Sequence, residues 1–511
     1  MYKQELLRVS PESIGITSER VMRLVGDLEK STEMHGFMLA RNGKVAAETW
    51  WKPYHADMPH ILHSLGKSYV ATGIGLACSE GLLSVDDKIV DLFSAEIREF
   101  GICPSAYMKM IQVKHLLTMS NGMAAQPTLN ENLLQNYLSE PVVFEPGSQF
   151  MYNTAGTSML CAIIQKVTGI GIRDYMEDRL FSKIGIETDK LRWLKYKNGL
   201  DASPGIATTA ENNLRLGMLY LQMGCWEGKR YISESWMQEA TTVRIDSSFP
   251  GAGSGSESSY GYGYQLWFCS VPGVYRFDGG HGQYVVVSPR HQVVIAVNQS
   301  GIMPYSTSRV LNVICAFLNE LDTQPNEPLE ERNAESASLS CYLGSRELAK
   351  GTTTALPENP TMFDGIYEIT EGNFHIYLET RPNDRDNFDK VFYSIENENA
   401  RTISISYKDP AHLEILFNNF TKLDVRLDGE MTPVYSKGAI STYDLTCSTG
   451  YFDGNDTLVV HTRWIQTAAK TTITFRHYPN ELVIDVVKTT LHESSPEIHC
   501  TARAKRYISP A

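Results

Sequence analysis

Residues Tyr69 to Leu83 form a run dominated by small and apolar side chains. A run of that composition is read as a buried helix, because a helix apolar on all sides is covered on all sides. The rest of a domain must then be built around it. The stretch that opens this run is His63-Ser64-Leu65-Gly66-Lys67-Ser68, and a proline-containing turn, Pro59-His60-Ile61-Leu62, precedes it. Ser64 therefore falls at or just inside a helix N-terminus, with Lys67 on the same face about one turn along. A serine hydroxyl is a poor nucleophile at neutral pH and needs a base or a charged partner close by. The Ser-x-x-Lys spacing supplies that partner through backbone geometry. The helix dipole favours negative charge at the serine. A lysine desolvated by such a helix loses its proton more readily and can act as a base. Four-letter patterns also arise by chance, so this one gains its weight from the motifs downstream of it.

Upstream, Thr17-Ser18-Glu19 is a helix start, and residues 19 to 31 continue with helical spacing through Val21, Leu24, Val25 and Leu28. Two apolar runs, Gly36 to Ala40 and Lys44 to Trp51, flank Asn42-Gly43 and predict a β-hairpin. Downstream, residues 114 to 122 read as a short helix ending in Asn121-Gly122. Residues 123 to 147, with three prolines, read as irregular, the character of a pocket rim. Phe150-Met151-Tyr152-Asn153-Thr154 then precedes a helix that ends at Thr168-Gly169. A phenol on that turn, at Tyr152, can hold a place in a cleft and shuttle a proton. A further helix covers 212 to 222, and a Gly- and Ser-rich loop covers 247 to 263. Strands are expected at 264 to 269, 274 to 277, 284 to 288 and 293 to 298, and a helix at 308 to 321. The segment Gly279-Gly280-His281-Gly282-Gln283 joins two of these strands, and its glycines permit close backbone approach to a ligand.

Composition sets the class. With 511 residues, 42% hydrophobic and 21% charged, the chain is expected to be a soluble globular protein of two or three domains. A formal net charge of -13 argues against nucleic acid or an anionic membrane as partner. The nine cysteines are scattered, without a C-x-x-C pair, which fits free thiols in a reducing compartment. No apolar leader stands at the N-terminus and no apolar run reaches spanning length, so a cytoplasmic location is expected. No H-E-x-x-H or paired C-x-x-C motif appears, and neither a metal nor a cofactor is expected.

Taken in order, these motifs resemble the serine β-lactamase and penicillin-recognising superfamily. The likeness is to its class C branch of D-aminopeptidase, carboxylesterase and oligoamide hydrolase relatives. Ser64 and Lys67 match the first motif. Tyr152 matches the Tyr of the second. Pro146-Gly147, Phe150, Leu116 to Gly122, Gly205 to Thr209 and Tyr262-Gly263-Tyr264 look like the framing residues. The resemblance implies an α+β fold, an α/β sandwich in which helices flank an antiparallel sheet, over residues 1–322. It implies that Ser64 attacks a carbonyl while Lys67 and Tyr152 take its proton. It also implies an oxyanion hole made by the Ser64 N–H and one from the Gly280 region. Two departures stand out. Thr154 occupies the usual Asn position of Tyr-x-Asn, with Asn153 adjacent and expected to point elsewhere, and the Lys-Thr-Gly motif is missing. In its place stands Phe277 to Gln283, similar to the Gly-x-x-Gly-Gln form of the esterase and amidase relatives. His281 is a candidate pocket residue, against a structural role; His63 is read as structural.

The expected function is a serine hydrolase of an ester or amide, a D-amino-acid peptide among the candidates. The alternatives are a penicillin-binding carboxypeptidase or β-lactamase, and a non-catalytic binding protein that kept the fold. Residues 323–360 read as a linker with a short helix near 344 to 350. Residues 361–511 read as an antiparallel β-domain, a barrel or sandwich, with strands at 365–369, 374–380, 402–407, 412–417, 458–462, 471–475 and 482–487. Tyr367, Phe374, Tyr377 and Phe392 are read as its core. Relatives with this layout carry a lipocalin-like domain that rims the site, restricts substrate size or joins subunits, so a homo-oligomer is one arrangement the resemblance allows.

Overall fold

A computed structural model describes residues 5–248, 256–302, 305–323, 327–374, 399–419, 421–435, 445–467, 470–488 and 498–507. The chain divides into two compact units. One is Met1–Trp50 with Ala56–Ser345, and the other is Trp51–His55 with Arg346–Ala511.

In the first unit, helix α1 (Ser18–Ser31) leads into strands β1 (Met34–Arg41) and β2 (Lys44–Trp50), the expected hairpin around Asn42-Gly43. Apart from a two-stranded pair at Cys225–Trp226 and Lys229–Arg230, the later strands are β3 (His60–Ile61), β4 (Arg192–Lys195), β5 (Asp201–Thr208), β6 (Trp267–Phe268), β7 (Tyr275–Gly279), β8 (Gln283–Ser288) and β9 (Val293–Gln299). Six of them form one antiparallel sheet in the order β2-β1-β9-β8-β7-β6. Every residue of β1, β8 and β9 is buried, so the middle of the sheet is covered on both faces. This is the sandwich expected for a serine β-lactamase-like domain.

The helices that matter to the site are α2 (Gly66–Ser79), α3 (Val113–Leu117), α4 (Leu133–Ser139), α5 (Thr154–Thr168) and α6 (Ala210–Leu221). Helix α2 is buried at every position from Gly66 to Ala77. Its small residues make this burial feasible: a Cβ on Gly75 would lie 2.8 Å from the Trp236 ring. Thr17 caps α1 and Thr209 caps α6, each accepting from a backbone N–H of the first turn.

Several local expectations are corrected. The segment 123 to 147 is not wholly irregular. It holds α4, whose Leu133, Tyr137 and Leu138 are buried at helical spacing between the prolines that point to irregular chain. Of the strand expected at 264 to 269, only Trp267–Phe268 forms, because Gln265 adopts φ 58 and turns toward Leu117. The three-stranded sheet β3-β5-β4 was not anticipated. Pro204 and Gly205 demote β5 on sequence, and they fall where its pairing with β4 shifts register between Trp193 and Lys195. Residues 323–360 are not one linker. Helix α8 (Asn333–Gly344), which follows α7 (Tyr305–Leu321), belongs to the first unit and packs on α1 and β2, and the division falls after Ser345. Residues 249–255 of the Gly/Ser-rich loop lie outside the described residues.

The second unit is all β: β10 (Gly365–Gly372), β11 (Thr402–Asp409), β12 (His412–Phe417), β13 (Thr421–Arg426), β14 (Val434–Tyr435), β15 (Leu445–Phe452), β16 (Thr457–Trp464), β17 (Lys470–Tyr478), β18 (Glu481–Lys488) and β19 (Ile498–Arg506). Neighbours pair in the order β13-β12-β11-β10-β19-β18-β17-β16-β15-β14, and β13 also pairs with β15. That last pairing closes nine strands into a barrel. Alternate residues turn inward, such as Leu413, Ile415 and Phe417 on β12 and Leu482, Ile484 and Val486 on β18. Tyr367 and Phe374 are buried as expected. Residues 375–380 of the expected strand, with Tyr377 and Phe392, lie outside the described residues.

Candidate active site

The turn that carries Ser64 is held by one hydrogen bond and one left-handed residue. Leu62 N donates to Ile206 O of β5 at 2.8 Å, and His63 turns the chain with φ 49. Residues His63–Leu65 make a 3-10 turn that runs directly into α2. Ser64 thus sits just ahead of the buried helix. Lys67, 2% exposed, donates from Nζ to Ser64 Oγ at 2.7 Å.

Tyr152 stands on the turn before α5. Its ring centroid lies 5.0 Å from Lys67 Nζ, and it stacks on Trp267 at 5.9 Å with 21° between planes. Tyr262 and Phe150 meet Trp267 edge-on at 5.0 and 5.5 Å, so the tyrosine is backed by an aromatic wall. Tyr152, far in sequence from Ser64 and Lys67, is brought beside them. Asn153 is not: it is fully buried and its Oδ1 accepts from Gly156 N at 3.0 Å, capping α5. Thr154 is the first residue of that helix, and its N–H donates to Gln126 Oε1 at 2.8 Å.

The end of β7 closes the other side. A Cβ on Gly279 would lie 2.1 Å from Leu62 O and 3.1 Å from Leu65 N, so the strand passes against the backbone on both sides of Ser64. Gly280–Gly282 then turn, with His281 at φ 59 and 1% exposed. His281 Nδ1 is 2.9 Å from Gly301 O, which makes Nδ1 the protonated nitrogen. Its ring faces His63 at 5.4 Å. His281 therefore packs against the residue that precedes Ser64.

Three further contributions had no signal in the sequence. Gln265 ties three helices together. Its Nε2 donates to Leu116 O and Leu117 O at 2.9 Å, its Oε1 accepts from Thr157 Oγ1 at 2.9 Å, and its own O accepts from Ser68 Oγ at 2.9 Å. Just ahead of the Ser64 turn, His60 Nδ1 donates to Ile61 O, so its Nε2 accepts from His35 Nδ1 at 2.9 Å. Burial and the neighbouring His35 hold His60 well below the usual histidine range, and it is neutral. Third, Arg276 is buried and donates to Asp278 Oδ2 at 2.7 Å, Glu257 O at 2.9 Å and Phe268 O at 3.0 Å. Burial raises the Asp278 pKa, while Arg276 and Lys67 oppose the rise.

Among the described residues, one group has metal-ligand spacing: Glu257, Cys269 and Cys315, with donor atoms within 4.8 Å of one another. Its donors are engaged. Glu257 accepts from Ser270 N and Oγ, and Arg276 Nη1 lies 3.6 Å from Cys269 Sγ, a fixed cation that opposes a second one. Among the described residues no single helix is long and apolar enough to cross a membrane.

A family model described as beta-lactamase matches residues 23–301, more than half of the chain. The chain belongs to the β-lactamase family. The 6-aminohexanoate-dimer hydrolase of Paenarthrobacter ureafaciens is 23% identical over 325 residues, which are 56% of this chain and 80% of that protein. Among solved structures, the octameric penicillin-binding protein homologue from Pyrococcus abyssi aligns with a TM-score of 0.46 at 14% identity, covering 94% of this chain and 99% of that one. A family VIII carboxylesterase aligns with a TM-score of 0.46 at 14% identity, covering 62% and 100%. Membership of this family, with hydrolases among the relatives, supports a serine hydrolase.

Proposed function

We propose that this protein hydrolyses an ester or amide through an acyl-enzyme on Ser64. The observation that carries the reading is the 2.7 Å contact between Ser64 Oγ and Lys67 Nζ beside the Tyr152 ring. With Lys67 as the neutral amine, the same contact runs in reverse and the Ser64 proton passes to Nζ as Oγ attacks the carbonyl. The oxyanion is received by the backbone N–H groups of Ser64 and Gly280, a reading supported by the close passage of Gly279 against Leu62 O and Leu65 N. Tyr152 protonates the leaving group and takes the serine proton back from Lys67, and water then releases the acyl group. The name of the Paenarthrobacter relative supports a linear amide, and D-amino-acid peptides belong to the same class.

β-Lactam hydrolysis or a penicillin-binding carboxypeptidase role is less well supported. The strand that closes the site reads Phe277-Asp278-Gly279 and offers no lysine to a substrate carboxylate. A binding protein without catalysis would have no use for a serine held against a buried lysine. The test is hydrolysis of p-nitrophenyl esters and D-amino-acid anilides by wild type and Ser64→Ala. Hydrolysis lost in the variant is expected. Equal turnover by both proteins would overturn the reading.

A further inference from the structure

Among the described residues, Asp278 is a carboxylate whose strand borders this site, and the acyl-transfer steps make no use of it. Arg276 and Asp278 are two residues apart on β7 and share a face of the sheet. Trp267 lies directly opposite Arg276 on the neighbouring strand, with the guanidinium 5.8 Å from its ring. Trp267 in turn stacks on Tyr152. The face that carries Asp278 is therefore the face that backs the catalytic tyrosine. The next residue, Gly279, makes the close pass against Leu62 O and Leu65 N around Ser64. Lys67 is near enough to oppose the burial-driven rise of the Asp278 pKa.

The ion pair is asymmetric. The Arg276 side chain is 1% exposed and the Asp278 side chain 19%. The guanidinium is spent on two backbone carbonyls and on Asp278, behind the wall. Of the two groups, the carboxylate is the more exposed. During attack Lys67 is neutral if it serves as the base, and it then no longer offsets the charge of the nearby carboxylate. A substrate carboxylate placed there is opposed, and a cation is attracted. The neighbouring aromatic rings add attraction for a weakly hydrated cation.

We infer that Asp278 makes this site selective for acyl substrates that carry a positively charged nitrogen a few atoms from the scissile carbonyl. This rests on the serine hydrolase reading, and the experiment separates the two. Two isosteric esters are compared, p-nitrophenyl 4-(trimethylammonio)butanoate and p-nitrophenyl 5,5-dimethylhexanoate. Each kcat/KM is corrected for the ester's spontaneous hydrolysis. Wild type is expected to favour the cationic ester by about tenfold, one opposite-charge contact in a partly screened site. The preference should shrink as ionic strength rises from about 0.01 M to about 1 M. In Asp278→Asn the ratio of the two values should fall to about one, whatever happens to the absolute rates. A corrected wild-type ratio near one, or a ratio unchanged in Asp278→Asn, would overturn the inference. If the variant does not fold, the wild-type ratio and its salt dependence decide. Labelling of Ser64 by a fluorophosphonate without charge preference would sink this inference alone. Neither labelling nor turnover of either ester would sink the hydrolase reading and this inference with it.

Discussion

Replacing Gly279 by alanine puts the geometry of the Ser64 turn under direct strain. Gly279 has φ -129 and ψ 152, an extended backbone that alanine adopts without cost, so the whole effect is steric. The added Cβ would sit 2.1 Å from Leu62 O and 3.1 Å from Leu65 N. Both are backbone atoms and neither can swing aside. To restore ordinary contact, the end of β7 and the Ser64 turn must part by roughly 1 Å. Over-packing of this kind costs about 1–3 kcal/mol of stability. The loss in turnover should be larger, because a displacement of about 1 Å between nucleophile and oxyanion donors costs on the order of a hundredfold in rate. The assay is kcat for a p-nitrophenyl ester together with the urea midpoint. The control is Gly344→Ala, where nothing lies within 4 Å of the new Cβ and both quantities should stay at wild-type values. Wild-type kcat in Gly279→Ala would refute the claim that this close pass sets the oxyanion geometry.

Two other consequences rest on contacts around the same turn. Gln265→Ala removes two side-chain hydrogen bonds to carbonyls that keep backbone partners and leaves the hydroxyl of Thr157 without its Oε1 acceptor in the core, and should cost about 1–3 kcal/mol in urea unfolding; a change under about 0.5 kcal/mol would contradict the clamp. His60 is held neutral in the fold, whereas an unfolded histidine takes up a proton near pH 6.5. Below about pH 6.5 the unfolded chain therefore binds more protons, and stability falls with falling pH. The decline in Tm between about pH 7 and pH 5 should be smaller in His60→Gln than in wild type, and an equal decline would show that His60 contributes none of it.

What was legible in the sequence is what the chain encodes locally. Ser64 and Lys67 lie on one helical turn, so their contact is fixed by backbone geometry alone, and Asn42-Gly43 specifies its hairpin without help from elsewhere. Tyr152 could be placed on a turn before a helix, and its meeting with Lys67 then came from the family likeness. The remaining wall could not be read this way. Gln265 acts by reaching Leu116, Thr157 and Ser68, and its positive φ is unusual for a glutamine, so propensity pointed to a strand instead. His35 and His60 meet across two different sheets. Asp278 looks like any polar residue near a strand end until Arg276 and Trp267 show which face it is on. In the barrel, β15 was missed because Leu445 to Phe452 is rich in Thr, Ser and Gly, and only ring closure buries those small polar residues. The strand at Thr421–Arg426 alternates cleanly, with Leu423 and Val425 inward, but is short and comes after two asparagines with positive φ.

The most direct measurement is intact mass after exposure to a fluorophosphonate, with wild type and Ser64→Ala side by side and the labelled peptide mapped. A serine activated by Lys67 gives one adduct on wild type, located at Ser64, and none on the variant. No adduct on wild type, or an adduct that persists in Ser64→Ala, would contradict nucleophilic catalysis at Ser64.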